Sequence, residues 1–424
     1  MMEKITKLKN GATLLYSSRD DDLASFAISF NVGSASDPSD KTGIAHCIEH
    51  MMFKGCNGKS AAEFSKLTDS LGLSSNAFTT YNQTCYYGQF LYEDTELVLK
   101  LFCEMINSPN FDEKELELEK GVIHQEIIMS ENDPQNRGMN LIMREFYQAN
   151  EYARPVLGSW EDVSKLTPSD LFDFKNTHYC GANCIIGYSG KASLEEVKAI
   201  LEKELLIKQG SVSPILGTSV RLGNQTKILV DAKTDQNMIC VFGAGFDNAS
   251  KDGPACNLLF NCLCGGFSSR LIKRIREELG LCYYIGIQFS NPDHDFNYPY
   301  IFCVTDADPI MVSNEIKAVI IEAIKDGFSK EEVKTSKKST EMLLLESSCD
   351  QLDYANRLVG TYLSCRKLPQ EYFKHRANAL KNASYKSVND AVDGLFGETL
   401  TVIVKKAEEK GFFARLVEML KGWL

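Results

Sequence analysis

Apolar and polar residues alternate or run together over 4–8, 12–17 and 24–33, and Asn10-Gly11 offers a hairpin turn between the first two runs. The chain is therefore expected to open as a sheet. The period then lengthens. Residues 42–54 and 61–71 place apolar side chains at helical spacing, 73–79 and 82–91 return to strand, and 93–107 and 112–131 read as long helices before a strand over 184–188. From 228 the order starts again, with strands over 228–230 and 238–242 and a helix over 252–263. Two stretches align across this restart: FSKLTDSLGL from Phe64 with IKRIREELGL from Ile272, and AHCIEHMMFKG from Ala45 with CNLLFNCLCGG from Cys256. Repetition of both element order and sequence predicts an α+β fold of two homologous halves. Each is α/β-sandwich-like, a mostly antiparallel sheet packed with helices, and the two are related by internal duplication. Turn formers in QGSVSPILG place a linker at 206–218, between a first half at 1–205 and a second at 219–405. The tail 406–424 carries Phe412, Leu416, Leu420 and Trp423 on one stripe and reads as an amphipathic helix.

Composition narrows the class. A hydrophobic share of 44% and a charged share of 24% are ordinary for a soluble globular chain, without the bias of a disordered or fibrous one. The net charge of −11 argues against the clustered basic face that nucleic-acid binding needs, so no nucleic-acid partner is expected. Fourteen cysteines are spread from Cys47 to Cys365 without dense even spacing, and read as buried reduced thiols rather than a disulfide framework. The N-terminus lacks the apolar core of a signal peptide and no run of 18 uncharged apolar residues follows, so a cytoplasmic location is expected. The tail helix is expected to pack on its own domain or on a partner, with peripheral membrane contact as the sharper reading.

The candidate chemistry lies in GIAHCIEHMMFKG. His46 and His50 are four residues apart, so on a helix they project from one face, one turn apart, and can reach one ion. Zinc accepts imidazole nitrogen, and catalytic sites pair three protein ligands with a water in the fourth position. Glu49, beside His50, can take a proton from that water; His-x-x-Glu-His is the inverzincin arrangement. A third ligand is required, and the acidic helix over 112–131 supplies candidates. Glu119 and Glu126 are seven residues apart, close to two turns, so one can bind metal while the other supports it. Glu126 stands amid Val122, Ile123, Ile127 and Ile128, a partly buried setting in which a charge needs a partner. His124, His178, His294 and His375 have no ligand spacing to one another and read as structural or surface residues.

With HCIEH at 46–50, a Glu pair at 119 and 126, and GGFSSRLIKRIREELGLCYY from Gly265, the chain resembles the pitrilysin and mitochondrial processing peptidase family of inverzincin metallopeptidases, to about residue 405. The resemblance points to its short two-domain, processing-peptidase-like branch. It implies zinc on His46, His50 and Glu126, with Glu49 as general base and Glu119 as support behind the ligands. It also implies an exposed edge strand in LSSNAFTT, where Asn76, Ala77 and Phe78 would bind a substrate backbone. Arg276 and Tyr283 resemble the family's pair that grips substrate and stabilises the oxyanion. The implied function is hydrolysis of extended peptides or unfolded segments in a closed chamber. The rival readings are a non-catalytic peptide-binding or scaffold subunit, and a peptidase dedicated to maturing one precursor. Because this family assembles its chamber from four such halves, a chain with two implies a homodimer, or a heterodimer with a related subunit.

Overall fold

The structure, a computed structural model, describes residues 2–148, 150–211, 220–247, 250–290, 297–349 and 354–407. The helix expected over 406–424 lies, beyond Ala407, outside the described residues, as do 212–218 of the expected linker and His294. Six strands form the first sheet: β1 (Met2–Lys7), β2 (Thr13–Ser18), β3 (Leu23–Phe30), β4 (Ser74–Thr79), β5 (Thr84–Leu91) and β6 (Cys184–Gly190), in the order β1-β2-β6-β3-β5-β4. Five form the second: β7 (Gln225–Asp231), β8 (Asn237–Phe242), β9 (Tyr284–Phe289), β10 (Pro299–Thr305) and β11 (Leu400–Lys406), in the order β7-β11-β8-β10-β9. With β1 set aside, the two orders coincide strand for strand. The pairing senses coincide too, since β2 with β6 and β7 with β11 are parallel and the other neighbours antiparallel. The fold is the duplicated α+β architecture that the repeat predicts.

Helices of the first half are α1 (Ile44–Met52), α2 (Ala61–Ser70), α3 (Thr95–Asn107), α4 (Glu113–Asn132), α5 (Pro134–Tyr147), α6 (Trp160–Val163), α7 (Pro168–His178) and α8 (Leu194–Glu204). Those of the second are α9 (Gly253–Cys264), α10 (Pro309–Asp326), α11 (Lys330–Cys349), α12 (Tyr354–Cys365), α13 (Pro369–Asn382) and α14 (Tyr385–Phe396), with a π-helical stretch at Ile272–Glu278. One face of each sheet closes on helices of its own half. Phe26, Ile28, Phe30 and Ile186 meet the buried sides of α1, α3 and α8, while Ile239, Val241, Ile301 and Ile403 meet those of α9, α10 and α14.

The opposite faces are covered by exchange. Leu15, Ala27, Cys85 and Ile185 on the back of the first sheet pack against Tyr354, Ala355, Leu358 and Val359 of α12. Gly187 admits that helix: a Cβ there would lie 2.4 Å from the Ala355 carbonyl oxygen. Reciprocally, Cys240, Phe242, Tyr300 and Val402 on the back of the second sheet pack against Ile142, Phe146 and Tyr147 of α5. Phe146 stacks on Phe242 with centroids 3.9 Å apart, and Arg137 of α5 donates from Nε to Asp231 Oδ2 at 2.5 Å. Burial on both faces explains why β3 reads LASFAISF, whose two polar residues, Ser25 and Ser29, are small and buried. Among the described residues no helix is long and apolar enough to cross a membrane.

Candidate metal centre

Helix α1 is set by its start and by its apolar face. Gly43 N and Ala45 N donate to the buried Asp37 carboxylate at 2.7 and 3.2 Å, partnering N–H groups that no helical turn precedes. Ile44, Cys47, Ile48, Met51 and Met52 are buried in the first core, which leaves His46, Glu49 and His50 on the side facing α4. Helix α4 starts on Asp112, whose carboxylate accepts from Lys114 N and Glu115 N at 2.9 and 3.1 Å. Its inner stripe of Leu116, Glu119, Ile123 and Ile127 returns every three or four residues, so Glu119 is carried inward against α1.

The structure brings His46, His50 and Glu126 together. His46 Nε2 and His50 Nε2 each lie 3.6 Å from Glu126 Oε2, and ligand atoms of all three fall within 4.8 Å of one another. A tetrahedral ion with bonds of 2.0–2.1 Å has ligands about 3.4 Å apart, so this donor set fits a zinc ion. Behind it, His50 Nδ1 meets Glu119 Oε2 at 3.0 Å. A carboxylate there selects the tautomer that leaves Nε2 free for metal, the usual partner of a metal-bound imidazole. Glu119 Oε1 in turn pairs with Lys54 Nζ.

Electrostatics suit the same use. Burial, with His50 nearby, pushes the pKa of His46 down to about 3, so this ring is neutral and a ready ligand. His50 is held above the ordinary range: burial opposes its protonation, but the Glu119 bond and the charges of Glu126 and Glu49 outweigh it. Proton and metal therefore compete for the His50 ring. Burial likewise raises Glu49, which Thr79 Oγ1 partly offsets by donating to Glu49 Oε2 at 2.5 Å. Glu119 moves the other way; burial would raise it, yet the bonds from His50 and Lys54 hold it below the usual carboxylate range.

Strand β4 lies beside α1 at the edge of its sheet, paired through β5 alone. Ala77 packs toward the first core and Thr79 reaches Glu49, so these side chains face the centre. Phe78 points to the other face of the sheet, where it packs 6.0 Å from Tyr87, and Asn76 Oδ1 accepts from Ala77 N. Arg276 and Tyr283 lie elsewhere, on the second half. The guanidinium sits 5.5 Å from the Phe267 ring and 5.4 Å from that of Tyr283, and both rings are largely exposed. No described interaction joins this pair to α1 or α4.

Sequence reasoning missed Thr79, Lys54 and Asp37. The last two had a signal: Lys54 falls one turn after His50, and Asp37 stands just ahead of the helix. The second half explains its own silence. At the places of His46, Glu49 and His50, Asn257 bonds back to Gly253 O at 2.8 Å, Phe260 packs against Phe246 and Phe289, and Asn261 bonds Thr340 Oγ1 at 2.5 Å.

The model of the family described as Insulinase (Peptidase family M16) matches residues 13–159, and that described as Peptidase M16 inactive domain matches residues 165–340. An uncharacterized zinc protease of Streptomyces coelicolor is 31% identical over 268 residues, which span 61% of this chain and 58% of that protein. An uncharacterized zinc protease of Rickettsia felis is 27% identical over 359 residues, 84% of this chain and 86% of its own length. The crystal structure of a protease from Helicobacter pylori shares the fold, with a TM-score of 0.84 at 20% identity over 95% of this chain and 99% of that one.

Proposed function

The chain belongs to peptidase family M16, the insulinase family, and on that premise we propose that it is a zinc-dependent endopeptidase acting on extended peptides or unfolded segments. The observation that carries this reading is the convergence of His46 Nε2, His50 Nε2 and a Glu126 oxygen on α1 and α4, with Glu49 on the same helix face. When bound there, zinc supplies Lewis acidity that acidifies a water and polarises a carbonyl oxygen. The rest is the work of the chain. Glu49 Oε2 is held by the Thr79 hydroxyl, which leaves Oε1 to accept the proton of the attacking water and return it to the departing amine. The open edge of β4 offers backbone N–H and C=O groups to an extended peptide, so that Asn76, Ala77 and Phe78 hold substrate through main chain rather than through the Phe78 ring. Arg276 and Tyr283 donate to the substrate carbonyl from a facing second half, closing a chamber.

The Glu49→Gln variant tests this reading. It removes the base and leaves all three ligands, so it should keep one zinc per chain while hydrolysis of a fluorogenic unfolded peptide falls by about 100-fold or more. His46→Ala and Glu126→Ala should instead lose zinc in metal analysis. Full activity in Glu49→Gln, or stoichiometric zinc in Glu126→Ala, would move the role to other residues.

A further inference from the structure

Glu119 is 6% exposed, and its two oxygens have separate duties. Oε2 accepts from His50 Nδ1 at 3.0 Å, and Oε1 accepts from Lys54 Nζ. Lys54 follows His50 by four residues, just past the end of α1, where a cation also complements the carbonyl end of the helix. The chain fixes it there. Lys54 N donates to Met51 O at 3.2 Å, and beyond it Gly55 takes φ +102°, where a Cβ would lie 2.3 Å from Lys59 O. The next residues are tied to the loop ahead of α4: Asn110 N donates to Gly55 O at 3.0 Å, Asn57 N to Ser108 O at 2.8 Å, and Cys56 bridges Pro109. One loop closure thus joins the end of the helix bearing His50 to the start of the helix bearing Glu119, with the Lys54 ammonium across the join.

We propose that Lys54 is a positioning residue which, acting through Glu119, fixes the His50 ring and so sets the affinity of the centre for its divalent metal. The inference rests on the zinc reading of His46, His50 and Glu126. Its physical basis is that a buried carboxylate must have both oxygens partnered. Without the ammonium, Oε1 is stranded. The carboxylate then turns toward water, and that movement weakens the Nδ1 bond that presents Nε2 to the ion. A salt bridge of purely structural value would stabilise the loop closure and leave the metal indifferent.

Zn2+ dissociation constants, read by competition with a chromophoric chelator, separate the two. The set is wild type, Lys54→Met, Lys54→Arg, Glu119→Gln and the double variant Lys54→Met/Glu119→Gln. Lys54→Met should bind zinc about tenfold more weakly, at the low end of what partners of a metal-bound histidine contribute. Lys54→Arg, which keeps a cation, should recover most of that loss. The double variant should bind no more weakly than Glu119→Gln alone, because the effect of Lys54 passes through that carboxylate. Lys54→Met at wild-type affinity, or losses that multiply in the double variant, would overturn the proposal. Thermal unfolding of the metal-free proteins shows whether each is folded; should Lys54→Met not fold, Lys54→Gln takes its place in the same comparison. A wild type that binds no zinc defeats the zinc reading itself, whereas a tight wild type with an indifferent Lys54→Met defeats this inference alone.

Discussion

Glu332 takes both arms of one guanidinium: Arg270 Nε donates to Oε1 at 2.7 Å and Nη2 to Oε2 at 3.2 Å, while Ser329 N adds a bond to Oε2 at 2.6 Å. Burial by itself would raise this carboxyl, but Arg270 and Ser329 outweigh it and hold the pKa at about 2, against an ordinary 4.5. A depressed acid contributes stability that is complete above its unfolded pKa and is lost as pH falls through the folded one. Wild type should therefore exceed Glu332→Gln by on the order of 1–2 kcal/mol in urea unfolding at pH 7, allowing for partial exposure. That gap should close between about pH 4.5 and 2. A gap constant with pH would mean that the charge is not what matters. At this scale the chain was partly legible. Spacing on one helix singles out His46, Glu49 and His50, because side chains three and four residues apart share a face, whereas spacing on the next helix only pairs Glu119 with Glu126 and the choice of Glu126 as ligand came with the family resemblance. Thr79 was not legible, since its approach to Glu49 depends on how β4 lies against α1, which no local pattern encodes.

The exchanged helices belong to the next scale. Leu358 of α12 is fully buried against the first sheet and Phe146 of α5 against the second. Leu358→Ala should cost roughly 2–5 kcal/mol and Phe146→Ala roughly 3–5 kcal/mol. Each half holds the other's cover, so unfolding followed by circular dichroism and by tryptophan fluorescence should show one transition in either variant. Two separated transitions would mean that the sheets are independent. The duplicated order of strands and helices was readable because hydrophobic period and the LGL matches repeat along the chain. The exchange was not. Amphipathic patterns in α5 and α12 mark an apolar face, and that face is equally satisfied by either sheet.

For the whole molecule, the candidate ligands sit on the first half and Arg276 with Tyr283 on the second, with no described interaction between them. If a second copy presents its Tyr283 to the first copy's Glu49, inactive variants should complement. Equal mixing of Glu49→Gln and Tyr283→Phe makes half the dimers mixed, each with one intact composite site, so about one quarter of wild-type activity should return. A monomer fully active in sedimentation at assay concentration would sink this arrangement, as would verified mixed dimers without activity. Neither length nor composition distinguishes a partner of the same sequence from a related one.

The borrowing of helices also sets a clock on synthesis. The last strand of the first sheet ends at Gly190, whereas the helix that covers its back begins at Tyr354, about 160 residues later. At about 5–20 residues per second, the ribosome leaves Leu15, Ala27, Cys85 and Ile185 without that cover for roughly 8–30 s. During that interval the nascent sheet presents an apolar surface, with a cysteine in it, to whatever binds or oxidises such surfaces. Native closure of the first half therefore waits on translation of the second as far as Cys365, with α13, α14 and β11 still to be made.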